Sequence, residues 1–108
     1  MNQALFFEQI WDLTREIPKG RVTSYGVIAK AIGTPNLSRM VAKAIGACGA
    51  AQPPVSYYRV ISSNGSLSGD PSSTAKRKEL LEREGVEIKN LKVQNFKKVF
   101  WDPLIDLE

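Results

Sequence analysis

Few side chains in this sequence could do covalent chemistry, and their types narrow the options. There is no histidine and only one cysteine, Cys48. Imidazole-activated serine or cysteine nucleophiles are thereby excluded, as are histidine-ligated and multi-cysteine metal sites, so no metal or other cofactor is expected. Cys48 lies between Ala47 and Gly49, which offer nothing to lower a thiol pKa, and it reads as an inert structural thiol. The chain does hold cations without acids. From Pro18 to Gly69 come Lys19, Arg21, Lys30, Arg39, Lys43 and Arg59 with no carboxylate, while all 11 acids lie elsewhere. With a net charge of +4, a one-signed stretch of this kind suits a polyanionic partner. The chemistry on offer is recognition rather than bond making.

The elements that must position these cations follow from apolar spacing. Phe6, Ile10, Leu13 and Ile17 fall on one face of an opening helix, stopped by Pro18-Lys19-Gly20. Phe7 and Trp11 read as packing residues. A second helix begins at Thr23 or Ser24, either of which can cap it, with Val27, Ile28, Ala31 and Ile32 apolar. Gly33-Thr34-Pro35-Asn36 forces a turn. A third helix follows from Leu37 or Ser38, with Met40, Val41, Ala44 and Ile45 inward and Arg39 and Lys43 one turn apart on another face. Two short helices across a glycine-containing turn have the form of a helix-turn-helix.

Gly46–Pro54 reads as a loop. Tyr58–Ile61 favours a strand, Asn64-Gly65 signals a hairpin turn, and Ser66–Ser68 supplies the short return strand. Ser72 or Ser73 caps a last helix, from Thr74 to about Glu84, which ends at Gly85. Val86-Glu87-Ile88 alternates like a strand, and Phe96, Val99, Phe100 and Trp101 are expected to pack back onto the core. The closing Leu107-Glu108 reads as a cloning remnant. With 43% hydrophobic and 24% charged residues in 108, and no repeat or linker, residues 1–108 read as one α+β, mainly helical domain. Its expected architecture is a winged helix: a helix-turn-helix with a small β-hairpin wing. No run is long and apolar enough to span a bilayer and no signal peptide is evident, so a soluble, cytoplasmic protein without membrane partners is expected.

Several motifs, in order, resemble the DNA-binding domain of the O6-alkylguanine-DNA alkyltransferases. They are Ile17-Pro18-Lys19-Gly20-Arg21-Val22-Thr23-Ser24-Tyr25-Gly26, Ile28-Ala29, Gly33, Pro35, Arg39–Ala44, Tyr58–Ile61, Asn64-Gly65, Lys78–Leu81 and Glu84-Gly85. The likeness spans roughly residues 4–90. Repair enzymes of that family carry Pro-Cys-His-Arg-Val, the cysteine accepting the alkyl group and the histidine activating it. Here the stretch is Ser56-Tyr57-Tyr58-Arg59-Val60. A phenol of pKa about 10 with no base beside it is not an activated nucleophile, so an enzyme is not expected. The chain looks like the alkyltransferase-like subset, which has lost the cysteine. Those proteins bind O6-alkylguanine in duplex DNA by base flipping and flag it for nucleotide excision repair.

The resemblance implies further roles. Arg39 matches the finger that fills the space of the flipped nucleotide; as an ordinary helix-turn-helix arginine it would instead touch phosphate. Tyr25 matches the tyrosine that helps rotate the target phosphate, though by itself it reads as a packing residue. Thr23, Ser24, Tyr25, Arg39 and Lys43 form the expected DNA-binding set, and Tyr25, Tyr57, Tyr58, Arg59 and Val60 the expected lesion pocket. Tyr57 either stacks on the extruded base or plugs the pocket. Glu84 matches a proton-relay glutamate with nothing left to relay, and so is expected either to order water or to brace the site. Departures from the pattern are Ala42 for glycine, Ser56 for proline, and a missing asparagine near Ala47 or Cys48. The partners expected are lesion-bearing duplex DNA and nucleotide excision repair proteins, bound by a monomer. The alternative is a winged-helix DNA-binding protein or regulator without lesion specificity.

Overall fold

The computed structural model describes residues 3–106, so Leu107-Glu108 falls outside the described residues. Helix α1 (Gln3–Arg15) buries Phe6, Phe7, Ile10 and Thr14. The Thr14 hydroxyl donates to the Ile10 carbonyl at 2.7 Å, which lets a polar side chain sit in the core. Leu13 is only partly buried. Ile17, expected as a further rung of the helix, is buried from the turn beyond it. Trp11 donates from Nε1 to the Ala44 carbonyl at 2.8 Å and so ties α1 to the third helix.

Strand β1 (Thr23–Ser24) runs straight into α2 (Tyr25–Ala31). The Ser24 hydroxyl caps that helix by accepting from the Val27 amide at 3.2 Å. A turn through Gly33, whose φ of +83° suits glycine, and the helical turn Pro35–Leu37 lead to α3 (Ser38–Gly46). Together α2 and α3 are the helix-turn-helix that the spacing predicts.

The β structure differs from expectation. Strand β2 (Val60–Ile61) pairs in parallel with β1, Thr23 opposite Val60 and Ser24 opposite Ile61. The Asn64-Gly65 turn forms, its amide closing onto Ser62 at 2.9 Å, but it returns no ladder along β2. Instead Leu67 is buried and its amide bonds the Leu91 carbonyl at 2.9 Å. Burial of Leu67 thus outweighs local hairpin preference. The antiparallel hairpin is β3 (Ile88–Lys89) with β4 (Lys92–Val93), turning through Asn90 and Leu91, both of positive φ.

Helix α4 (Pro71–Arg83) starts earlier than expected. Asp70, rather than Ser72 or Ser73, is its cap and accepts from the Ser73 amide at 2.8 Å, because Pro71 fits the first turn of a helix without needing an amide there. Two short helices, α5 (Phe96–Val99) and α6 (Pro103–Asp106), carry the chain back, and Trp101 is buried as expected.

Two cores result. The first gathers Phe6, Ile10, Ile28, Val41, Ala44 and Trp101 under the three leading helices, and the second gathers Val22, Leu67, Leu81, Ile88 and Val93 under α4 and the hairpin. Alternation along β2 sends Val60 into the first and Ile61 into the second. The turn immediately before β2 is therefore anchored to both.

Candidate nucleic-acid interface

That turn is Tyr57–Arg59, and Arg59 fixes it in place. Arg59 Nη1 donates to the Ile17 carbonyl at 2.8 Å, while Nε and Nη2 grip the two oxygens of Glu84, which caps the end of α4. Glu84 also accepts from the Gly20 amide at 3.0 Å and from the Tyr58 hydroxyl at 2.9 Å. One carboxylate thus joins the post-α1 turn, the end of α4 and the tyrosine pair. Burial pushes the Glu84 carboxyl up, but donation from Arg59, Gly20 and Tyr58 outweighs it and holds the group below the ordinary carboxylate range. Burial, then donation to an anion, raises the Tyr58 phenol above its ordinary value. Glu84 therefore braces the turn, one of the two roles the resemblance implied, and Tyr58 is a committed donor.

Tyr57 is half-buried, with its ring edge-on to Tyr58 at 5.6 Å and the guanidinium of Arg77 lying 5.2 Å from its centroid. It forms a wall of an inner cavity of about 260 Å³, shared with Ile45, Gly46, Cys48, Gly49, Ser73 and Arg77. An outer cavity of about 330 Å³ shares Gly46, Ser73 and Arg77 and adds Tyr25, Ala42, Ser68, Gly69 and Asp70. The two adjoin as a groove through the shared walls Gly46, Ser73 and Arg77, and Tyr57 lines the inner part. The Tyr25 hydroxyl is fixed at the outer rim of the groove by a 2.6 Å hydrogen bond with Ser68. A larger hollow of about 430 Å³ between α1, α2 and α6 carries Asp12 and Glu16, the wrong sign for nucleic acid.

Helix α3 links this groove to the solvent-facing cations. Arg39, Ala42, Lys43 and Gly46 recur at helical spacing on its exposed side, opposite buried Val41, Ala44 and Ile45. Arg39 begins that stripe and Gly46 ends it in the groove wall. The structure thus brings Tyr25, Arg39, Lys43 and Tyr57 to one side of the molecule.

Other expected site residues sit differently. Thr23 and Ser24 are buried, at 0% and 3% exposure, with the Ser24 hydroxyl engaged as the α2 cap. As side-chain contacts to DNA they are corrected here: they set the start of α2 and hence Tyr25. Val60 is likewise fully buried, so of its two expected roles, lining or supporting the pocket, burial leaves the second. Tyr58 and Arg59 face Glu84 and line neither cavity. Burial raises the Cys48 thiol above its ordinary value, although it lines the inner cavity.

Sequence reasoning missed Arg77, which is 6% exposed and lines both cavities. Its signal was available: Thr74, Arg77 and Leu81 form the buried stripe of α4, and an arginine there stands where an apolar residue belongs. Ser68 and Ser73 carried no comparable signal.

Comparison with known proteins agrees with this geometry. The family described as the 6-O-methylguanine DNA methyltransferase DNA-binding domain matches residues 5–86. A DNA base-flipping protein of Vibrio parahaemolyticus is 37% identical over 91% of this chain and 97% of its own length. The crystal structure of Schizosaccharomyces pombe Atl1, in complex with damaged DNA containing O6-carboxymethylguanine, superposes with a TM-score of 0.82 at 34% identity, covering 95% of this chain and 100% of that one. A methylated-DNA–protein-cysteine methyltransferase of Candida glabrata is 42% identical over 78% of this chain but only 40% of its own length. The chain belongs to the 6-O-methylguanine-DNA methyltransferase DNA-binding family, and within it to the alkyltransferase-like proteins.

Proposed function

We propose that this protein binds duplex DNA, flips O6-alkylated guanine into the groove beside Tyr57, and holds it without removing the alkyl group. The observation that carries this is the Tyr57 turn. The family's acceptor position holds a phenol on an open cavity wall, and the neighbouring Tyr58 hydroxyl is already donating to Glu84. No group there accepts a proton from a nucleophile, so the site retains recognition and lacks transfer. Arg39 and Lys43 on α3 meet the DNA, Arg39 entering the stack in place of the extruded base. Base extrusion costs a few kcal/mol, less where alkylation has already weakened pairing, which favours lesions over normal guanine. The S. pombe complex with damaged DNA supports the same mode of binding. In this reading the protein acts as a cytoplasmic monomer that marks the lesion for nucleotide excision repair proteins.

Paired titrations of duplexes differing only in O6-methylguanine against guanine, in matched salt, test the reading. Tighter binding to the modified duplex, with radiolabelled methyl staying on DNA, is expected. Equal affinity leaves only a winged-helix DNA-binding protein without lesion specificity, and label on the protein establishes a transferase.

A further inference from the structure

Arg77 is a buried cation with no ionic partner. It is 6% exposed, and among the described residues no carboxylate lies within ion-pair distance of it. Nη1 donates to the carbonyls of Tyr57 and Val60 at 3.2 and 2.9 Å. Nε is buried without any partner, and Nη2 donates to no protein group among the described residues. Neutral carbonyls and the Tyr57 ring compensate a buried charge only in part. The one acid in the walls of the two cavities, Asp70, lines the outer cavity only and is engaged as the α4 cap. The inner cavity has no carboxylate in its wall. It is a small, partly enclosed space carrying uncompensated positive charge.

We propose that Arg77 makes the inner cavity selective for O6 adducts that end in a carboxylate over neutral alkyl adducts of the same size. This inference rests on the lesion-binding reading above. A carboxylate reaching the guanidinium would accept charge-assisted hydrogen bonds that the protein leaves unmade. A neutral branched alkyl group would fill the same space while stripping water from an unpaired cation.

The test compares duplexes carrying O6-carboxymethylguanine, its neutral near-isostere O6-isobutylguanine, O6-methylguanine or guanine at one position, in matched salt. Wild-type protein is expected to bind the carboxymethyl duplex about tenfold more tightly than the isobutyl duplex, the size of one charge-assisted hydrogen bond. Arg77→Gln, which keeps a donor for the carbonyls but loses the charge, should bring that ratio within about twofold of unity. Arg77→Lys, which keeps charge without the fork, should retain part of it. The wild-type ratio needs no variant to fold, and melting curves qualify the variants. Wild-type binding of both bulky adducts equally, but more tightly than guanine, overturns the proposal and leaves lesion recognition standing. No preference for any adduct over guanine removes lesion recognition itself. If Arg77→Gln weakens every duplex alike and keeps the ratio, Arg77 is a strut or a phosphate contact, and the proposal fails.

Discussion

The Tyr58 hydroxyl donates to Glu84 Oε2 at 2.9 Å, and the same carboxylate holds both Arg59 and the Gly20 amide. The residue next to Tyr57 is thus fixed as a donor by a group that also fastens three separate chain segments. The Tyr58 hydroxyl is thus engaged in structural bracing.

Restoring the thiol alone should therefore fail. Tyr57→Cys is expected to give no stoichiometric demethylation of O6-methylguanine DNA, because the neutral Tyr58 phenol, unlike an imidazole, is too weak a base to take a proton from sulfur. Intact protein mass after incubation with methylated duplex measures this directly. A gain of one methyl group in the single variant would overturn the argument.

Arg39 and Lys43 should behave differently although they sit one turn apart. Arg39→Ala is expected to weaken binding to the lesion duplex by about 1–3 kcal/mol and to erase most of the preference over guanine. Lys43→Ala should weaken both duplexes alike and lower the log–log salt slope by about 0.9. Titrations across a salt series distinguish the two.

Acid should attack the brace first. The Glu84 carboxyl is held below its ordinary value in the folded protein, so its contribution is fully present above the unfolded carboxylate pKa of about 4.3 and is lost as pH falls through the lowered folded value. Glu84→Gln should cost roughly 2 kcal/mol near neutral pH and flatten that part of the stability profile. Urea titrations at about pH 7 and about pH 3 would show it, and equal acid sensitivity in both proteins would contradict it.

Gly69 is the tightest point of the groove rim. Its φ is +107°, and a Cβ there would lie 2.8 Å from Ser73 Oγ. Gly69→Ala should destabilise the fold by roughly 1–3 kcal/mol and displace Ser73 from the cavity wall. Melting curves and a duplex titration report the two effects separately.

The four longer helices and their order were legible because apolar spacing and caps are local signals, whereas the short α5 and α6 were not. The Phe6–Ile10 stripe, a cap at Thr23 or Ser24 and the Gly33 turn follow directly from residue type. The strands were less so, since two-residue ladders depend on partners far away: nothing local to Val60–Ile61 says that Thr23–Ser24 lies alongside. Asn64-Gly65 predicted a turn correctly and a hairpin wrongly, because burial of Leu67 and its bond to Leu91 decide where the chain goes next. At the site, Tyr25 and Tyr57 line the cavities and Arg39 is exposed on α3, whereas Thr23, Ser24 and Val60 are buried, which residue type alone does not reveal. Arg77 escaped because charge suggests solvent, and only packing reveals a cation turned inward.

Placing Val60 in one core and Ile61 in the other has a consequence for how this scaffold can change. A one-residue slip in that strand would exchange the two anchors and damage both halves at once, so its register is tightly constrained. Tyr57, three residues upstream, packs on the first core alone and lines a cavity, so no register depends on it. The side chain at position 57 can accordingly be exchanged while the strand beneath keeps its register.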